Sequence, residues 1–143
     1  MIIDIVNKSN NDLPKYETVH SAGMDLKAFL MESITIKPLE RKAIKTGLFI
    51  SLKTGYEAQI RPRSGMALKN GITVLNSPGT IDADFRGEIA VVLVNFSSQD
   101  FEICSGDRIA QMVVAKHEVI SWNPKTSLGK SVRGESGFGS TGI

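Results

Sequence analysis

Acidic side chains are concentrated in residues 76–88, which read Asn-Ser-Pro-Gly-Thr-Ile-Asp-Ala-Asp-Phe-Arg-Gly-Glu. Asp82 and Asp84 lie two residues apart, and an aromatic residue, a cation and a glycine follow them. A carboxylate held in such a turn is suited to general-base work, because it can take a proton from a water molecule. Taken alone, the stretch is also typical of a solvated hairpin whose acidic groups only aid solubility.

Other candidate reactive groups are few. The chain has two histidines, His20 and His117, and one cysteine, Cys104. No Cys/His cluster is present, so neither a zinc site nor a Ser-His-Asp triad is indicated, and carboxylates remain as candidate bases. Cys104 lies in a strand-like segment, where we predict a buried small hydrophobic residue rather than a nucleophile.

Two strongly β-like segments flank the acidic stretch, residues 72–75 before it and residues 89–94 after it. The Pro78-Gly79 dipeptide is typical of a turn. Together these features predict a hairpin-like excursion between two strands. Residues 89–96 are almost continuously apolar, which predicts that both faces of the second strand are covered. A second subunit is a candidate for one of those covers.

One short helix is predicted between residues 62 and 71. Ser64 is the candidate N-cap, residues 66–69 are good helix formers, and Gly71 stands where a C-terminal stop belongs. The free amides at the start of such a helix favour an anion. A connecting turn of helix without a ligand explains the segment equally well.

The remaining pattern is one of short strands separated by turns. Alternating or β-branched runs predict strands at residues 2–6, 33–36, 44–52, 56–61, 101–104 and 109–115. Residues 7–18 are polar and are predicted to form a loop. Many short strands with a single helix indicate an all-β sandwich.

Bulk composition restricts the class of protein. The 143 residues are 41% hydrophobic and 22% charged, with a net charge of +2, which is typical of one globular domain without a polyanionic partner such as duplex DNA. The apolar run at residues 1–6 is interrupted by Asp4 and is too short for a signal peptide or a membrane span. A single cysteine suits a reducing compartment. We therefore expect a cytoplasmic location and no membrane partner.

The C-terminal region has a different composition. Residues 133–143 contain four glycines, and Phe138 and Ile143 are their large apolar residues, a composition that is usually disordered in a free chain. Trp122, in the irregular segment before this tail, is a candidate anchor for it, with core packing as the alternative.

Five segments, in order along the chain, resemble the sequence motifs of the trimeric deoxyuridine triphosphatases (dUTPases). They are residues 22–26, 62–67, 79–87, 106–111 and 133–142, which read Ala-Gly-Met-Asp-Leu, Pro-Arg-Ser-Gly-Met-Ala, Gly-Thr-Ile-Asp-Ala-Asp-Phe-Arg-Gly, Gly-Asp-Arg-Ile-Ala-Gln and Arg-Gly-Glu-Ser-Gly-Phe-Gly-Ser-Thr-Gly. The resemblance spans nearly the whole chain. It implies a jelly-roll-like β-sandwich with one short helix, assembled as a homotrimer. Residues 1–132 would form the domain and residues 133–143 a mobile, Gly-rich lid.

The resemblance also implies a reaction, the hydrolysis of dUTP to dUMP and pyrophosphate with Mg²⁺ as cofactor. This reaction keeps uracil out of DNA and supplies dUMP for thymidylate synthesis. Asp82 would be the general base that holds water in line with the α-phosphorus. Asp25 would support the site and contact Mg²⁺ only through water, with no direct protein ligand to the metal. Asp84, two residues after Asp82, is interpreted as a structural residue that orients the turn.

Substrate contacts follow from the same resemblance. The triphosphate would be bound by Arg63, Ser64, Gly65, Arg133, Ser140 and Thr141. Gln111 would be the polar reader of the fourth motif, and Gly139 would also contact the substrate. Main-chain groups around Asn76, Gly79 and Ile81 would read uracil, Thr80 would also contact the substrate, and Phe138 would cover the base. In the family each site combines the second and fourth motifs of one subunit, the hairpin of another and the tail of the third.

Two positions depart from the family pattern. Two arginines within the motifs are interpreted as structural. Phe85 stands where the family usually has Tyr, so it keeps a ring that can pack against deoxyribose but lacks the hydroxyl. Met24 stands where many members have Tyr. Arg86 and Arg108 lie beside acidic residues and are interpreted as ion-pair partners.

Two alternatives compete with dUTP hydrolysis. A dCTP deaminase would share the fold class but would release ammonia. A non-catalytic nucleotide-binding jelly roll would be expected to lack Asp82, Arg63 or Arg133, whereas all three are present.

Overall fold

The computed structural model describes residues 1–137, in which the chain forms eleven β-strands and one α-helix. The strands are β1 (Asp4–Asn7), β2 (Met24–Lys27), β3 (Ile34–Ile36), β4 (Arg41–Lys45), β5 (Leu48–Ser51), β6 (Tyr56–Arg61), β7 (Ile72–Val74), β8 (Gly79–Ile81), β9 (Ala90–Asn95), β10 (Phe101–Ile103) and β11 (Arg108–Lys116). The helix α1 is Ser64–Asn70. The all-β prediction with one short helix is therefore confirmed. The predicted site residues Phe138, Gly139, Ser140 and Thr141 lie outside the described residues.

The strands form four antiparallel groups. The largest sheet has the order β2-β11-β6-β8, a second has the order β4-β9-β7, and two pairs join β1 to β5 and β10 to β3. Most partners are distant in sequence, as in a jelly roll, where the chain passes repeatedly between sheets. Strands β2 and β11, which are far apart in sequence, are thereby paired in one sheet.

The hydrophobic core lies between these sheets and is made of inward-facing strand positions. Its largest fully buried aliphatic side chains are Leu26, Ile36, Ile44, Ile72, Ile89, Val91, Leu93, Ile103 and Ile109. Each removes apolar surface from water, which contributes about 1.5–3 kcal/mol per large aliphatic side chain. This packing makes the sheets a firm support for the loops at their ends.

The single strand predicted at residues 44–52 is wrong, because the chain forms β4 and β5 in different sheets. The break falls at Gly47, which has a left-handed φ of 71° that glycine adopts without strain. The neighbouring Thr46 is buried, and its hydroxyl donates to the Ile89 carbonyl at 2.6 Å. Apolar alternation continued across the break because both strands face the same core.

Two other predictions require correction. Cys104 is exposed rather than buried, because β10 ends at Ile103 and the main-chain N–H of Cys104 begins a turn by donating to Asp107 Oδ2 at 2.8 Å. Trp122 is 86% exposed, so the core-packing alternative for it is wrong.

Strand β9 is only partly covered within one chain. Val91 and Leu93 are fully buried, as expected for positions facing the core. On the opposite face Val94 is buried, but Ala90 and Phe96 are exposed, Phe96 by 62%. A second subunit as the missing cover stays a prediction, as does a domain boundary at residues 132–133.

Within residues 1–137, no helix has the length and apolar character needed to cross a membrane.

Candidate active site

An ion-pair cluster joins three parts of the chain around Asp25 in β2. Arg63 Nε donates to Asp25 Oδ1 at 2.9 Å, and Arg108 Nη1 donates to Asp25 Oδ2 at 3.2 Å. Arg63 Nη1 also donates to the main-chain carbonyl of Arg108 at 3.2 Å. The antiparallel pairing of β2 with β11 brings Asp25 and Arg108 together. We call these three side chains the Asp25 cluster, and the ion-pair role predicted for Arg108 is confirmed.

The Asp25 cluster carries an excess of positive charge, because one carboxylate faces two guanidinium groups. The side chains of Asp25 and Arg63 are 19% and 24% exposed, whereas that of Arg108 is 52% exposed. Partial burial strengthens these charge-assisted hydrogen bonds relative to a fully exposed pair. These three side chains therefore form a fixed group of net positive charge, which suits a phosphate chain.

Gln111 in β11 supports the region around the Asp25 cluster. Its register partners are Asp25 on one side and Arg61 on the other. Its Nε2 donates to the Pro62 carbonyl at 3.0 Å, and its Oε1 lies so close to Gly23 that a Cβ there would displace the Gln111 side chain. Gln111 thus holds the segment that leads into α1, a role that the sequence motifs did not predict.

The helix begins one residue earlier than predicted. Arg63, not Ser64, is the N-cap residue, with extended backbone and no side-chain cap, and its carbonyl accepts the Ala67 amide at 3.0 Å. Ser64 and Gly65 are exposed in the first turn, where amides have no acceptor within the helix. The predicted stop at Gly71 is confirmed by its left-handed φ of 66°.

The predicted hairpin is confirmed, because β7 and β9 pair antiparallel, but it contains an additional strand. Within residues 76–88, β8 pairs with β6 and so attaches the excursion to the large sheet. Gly79 is buried at that junction, where a Cβ would lie 3.1 Å from Asn76 Nδ2 and 3.3 Å from Ile60 Cβ. This close approach brings the main chain of the excursion against β6.

The tip of the hairpin is a short, exposed turn. Asp82 follows β8 directly, and its carbonyl accepts the Phe85 amide at 3.2 Å. Arg86 Nη1 donates to the Ala83 and Phe85 carbonyls at 2.7 and 2.8 Å. The ion-pair role predicted for Arg86 is therefore wrong, since its guanidinium closes its own turn. Asp82 and Asp84 both remain exposed to solvent.

The returning arm of the hairpin is anchored to the turn between β4 and β5. Glu88 Oε1 accepts the Gly47 amide at 2.9 Å, and the Ile89 amide donates to the Leu48 carbonyl at 2.8 Å. This anchor was absent from the predictions made from the sequence. A threonine before a glycine within an apolar run was the available signal, because such a pair is typical of a capped turn.

Asp82 and the Asp25 cluster are far apart within one chain. Strands β2 and β8 form opposite edges of their sheet, and three interstrand steps span roughly 14 Å. Through Gln111, Asp25 lies level with Arg61 of β6. Ile81 pairs with Ala58 of β6, so Asp82 lies level with the residue before Ala58. This is four residues from Arg61, or about 13 Å along the strands. The two carboxylates are thus separated by roughly 20 Å.

A protein-family comparison gives the affiliation, because the family model described as dUTPase matches residues 9–142. The chain belongs to the dUTPase family. It is 59% identical over 140 residues to a deoxyuridine 5'-triphosphate nucleotidohydrolase of Cytophaga hutchinsonii, covering 98% of this chain and 91% of that protein. It is 52% identical over 142 residues to the protein of the same name from Finegoldia magna, covering 99% of both chains.

Solved structures share the fold of this dUTPase-family chain. A mutant dUTPase of Staphylococcus bacteriophage 80alpha with dUpNHpp aligns with a TM-score of 0.89 at 23% identity, covering 99% of both chains. A mutant dUTPase from Staphylococcus aureus phage phi11, described with a structural Mg(II) ion, aligns with a TM-score of 0.81 at 19% identity, covering 91% of this chain and 100% of that one. These alignments confirm the fold prediction.

The described part of the fifth dUTPase motif forms a local turn. Arg133 Nε donates to the Ser136 carbonyl at 2.8 Å, and the Gly134 amide donates to the Ser131 carbonyl at 3.2 Å. Arg133 is exposed. Its predicted phosphate contact stays a prediction, and so do those of the tail residues that lie outside the described range.

Acidic, histidine and cysteine side chains are the candidate metal ligands of this chain. Residues 1–137 contain no group of three or more of these residues placed to hold a metal ion. Asp25 accepts one guanidinium N–H on each oxygen, which leaves further lone pairs for water. The Asp25 carboxylate can therefore accept hydrogen bonds from the water shell of a hydrated Mg²⁺, which keeps several waters and takes phosphate oxygens as ligands.

Proposed function

We propose that this chain hydrolyses dUTP to dUMP and pyrophosphate by an in-line attack of water on the α-phosphorus. The observation that carries the proposal is the Asp25 cluster, which unites three of the family's motifs beside the exposed first turn of α1. A fixed cationic surface is what a triphosphate needs, because its negative charge grows on the leaving pyrophosphate.

Phosphate binding is assigned to residues around this cluster. Arg63 uses Nε and Nη1 within the protein, so its remaining N–H groups can face a phosphate oxygen. The amides of Ser64 and Gly65 add donors without a helical acceptor. Gln111 completes the surface by holding the Pro62 carbonyl, with its second amide hydrogen available to the substrate.

Asp82 is proposed as the general base, and its exposure at the hairpin tip supports access to water. It takes a proton as the water oxygen bonds to the α-phosphorus, and the bond from that phosphorus to the bridging oxygen breaks. The electron pair leaves with pyrophosphate. Bound Mg²⁺ would neutralise phosphate charge, and Asp25 would contact it only through water.

Recognition of the nucleoside is assigned to the hairpin and the tail. Main-chain groups of Asn76, Gly79, Thr80 and Ile81 are proposed to read uracil, because backbone donors and acceptors are fixed in place. The ring of Phe85 would pack on the sugar. Of the tail, Phe138 is proposed to cover the base. Arg133, Gly139, Ser140 and Thr141 are proposed to bind the γ-phosphate.

We propose that the active site is shared between subunits of a homotrimer. A general base must lie within about 3 Å of the water that it activates, next to the phosphates. The roughly 20 Å between Asp82 and Asp25 in one chain is too long for one nucleotide to engage both groups. The Asp25 cluster and Gln111 would therefore come from one subunit, the hairpin from a second and the tail from the third. The exposed Phe96 face of β9 is a candidate contact between subunits.

The test is product analysis with purified protein, Mg²⁺ and each of dUTP, dCTP, dTTP and UTP. Pyrophosphate release from dUTP alone is expected. Ammonia from dCTP would favour the deaminase alternative, and tight binding without any product would favour a nucleotide sensor. The proposed role is to keep uracil out of DNA and to supply dUMP, in the cytoplasm as expected from the sequence.

A further inference from the structure

The aromatic ring at the hairpin tip rests on a glycine. A Cβ built on Gly87 would lie 2.5 Å from Cζ, 2.9 Å from Cε2 and 3.3 Å from Cε1 of Phe85. These are the outer atoms of the ring, so its distal edge lies directly over the Gly87 backbone. The ring is nevertheless 40% exposed, which leaves it accessible to a ligand.

Both sides of this contact are held in place. Arg86 closes the turn on the Phe85 carbonyl, and the Phe85 amide donates to the Asp82 main-chain carbonyl. The chain after Gly87 is fixed by the carboxylate of Glu88 on the Gly47 amide. Because the main chain on both sides is anchored, the Phe85 side chain is the part of this contact that is free to move.

Backbone conformation does not require glycine here. Several glycines in residues 1–137 have positive φ, among them Gly47, Gly71 and Gly134, but Gly87 does not belong to that set. Any L-residue could adopt its φ. The physical requirement for glycine at position 87 is the space taken by the Phe85 ring.

We propose that Gly87 is a positioning residue for sugar selectivity, acting through the Phe85 ring. This inference rests on the proposed function, in which that ring packs on deoxyribose. A Cβ added at Gly87 would displace the Phe85 ring, because rotation of one exposed side chain is easier than displacement of an anchored main chain. The ribose hydroxyl, otherwise buried without a partner against the ring, would then regain space and water.

The experiment compares kcat/KM for dUTP and UTP in five proteins: wild type, Gly87→Ala, Phe85→Ala, the double variant and Gly129→Ala. Gly129 is the matched control, because a Cβ there meets nothing within 4 Å and its φ is also ordinary. We expect Gly87→Ala to lower the dUTP/UTP ratio by on the order of tenfold, whereas Gly129→Ala leaves it unchanged.

The double variant separates positioning from a general structural effect. If Gly87 acts through the ring, the ratio of the double variant should equal that of Phe85→Ala within about twofold, because coupled residues are not additive. An unchanged ratio in Gly87→Ala, or the same loss with and without the ring, would overturn the inference. If Gly87→Ala fails to fold, recovery in the double variant supports the ring contact, and continued failure overturns it.

Failure of the proposed function is distinguishable from failure of this inference. A wild type that releases no pyrophosphate from dUTP would refute the proposed reaction. The same five proteins would then be compared by calorimetric affinity for dUpNHpp and its ribose counterpart. A selectivity that depends on Gly87 only when Phe85 is present supports the inference, and any other pattern contradicts it.

Discussion

The Asp25 cluster and the tip of the hairpin are built by opposite means. In the cluster, the partners of Asp25 are 38 and 83 residues away in sequence, and Gln111 contacts a carbonyl 49 residues away. At the tip, Arg86 bonds carbonyls only three residues and one residue away. The cluster is part of the folded sheet, whereas the tip is a local turn projecting from it.

This difference indicates how each region can serve a reaction. Long-range ion pairs on a rigid sheet fix the cluster before substrate arrives, so little reorganisation is needed when phosphate binds. A local turn leaves Asp82 exposed, with its final surroundings supplied by whatever packs against it. The cluster should therefore resist rearrangement, and the tip should tolerate substitution without loss of fold.

The largest expected effect belongs to the tip. Asp82→Asn should lower kcat for dUTP by roughly a hundredfold or more, the range for loss of a general base, and change affinity by less than about tenfold. Thermal stability should stay at the wild-type value because Asp82 is exposed. Asp84→Asn is the matched control two residues away. Near wild-type turnover in Asp82→Asn would refute the assignment.

Mixing subunits tests whether the two regions act across an interface. Asp82→Asn protein has an intact cluster, and Arg63→Ala protein has an intact tip. In a randomly mixed homotrimer, about a quarter of the sites would combine both intact regions and restore that share of wild-type turnover. Light scattering should also give about three times the chain mass of 15.5 kDa. An active monomer, or no recovery after subunit exchange, would contradict the shared site.

Gly23→Ala tests the rigidity attributed to the cluster region. The new methyl group would meet Gln111 Oε1 and move the side chain off the Pro62 carbonyl. We expect a loss of unfolding free energy of about 1–3 kcal/mol, typical of a disrupted hydrogen bond, and a raised KM for dUTP. In a Gln111→Ala background the same change should have little further effect. Additive losses in the two backgrounds would argue against this contact.

The smallest effect is expected outside both regions, at Glu40. The main-chain amide of Lys37 donates to its carboxylate at 2.8 Å and, with Lys42, lowers the pKa of Glu40 below its ordinary value. A lowered carboxyl pKa stabilises the fold above the pKa of the unfolded chain, and that contribution is lost as pH falls through the folded pKa. Glu40→Gln should slightly lower the Tm at neutral pH and leave it unchanged in strong acid. A Tm difference independent of pH would contradict this cause, and dUTP turnover should be unaffected.

Local patterns predicted the elements that depend on few neighbours. The strand at residues 56–61 and the stop at Gly71 follow from side-chain alternation and from the φ freedom of glycine, which are properties of short segments. The start of the helix was predicted one residue late, because Arg63 rather than Ser64 takes the extended position before the first turn. A preference for capping side chains is a weak signal there.

Sequence by itself determined the class of fold, the hairpin between β7 and β9, and the set of residues that resemble a triphosphate site, because each resides in a contiguous motif. Only the tertiary structure decided that Arg108 shares Asp25 with Arg63, that Arg86 closes its own turn, and that Cys104 is exposed. Those outcomes depend on which distant strands pair and in what register. When paired strands are remote in sequence, the packing of the whole core decides which strands pair and in what register. No local sequence pattern contains that information.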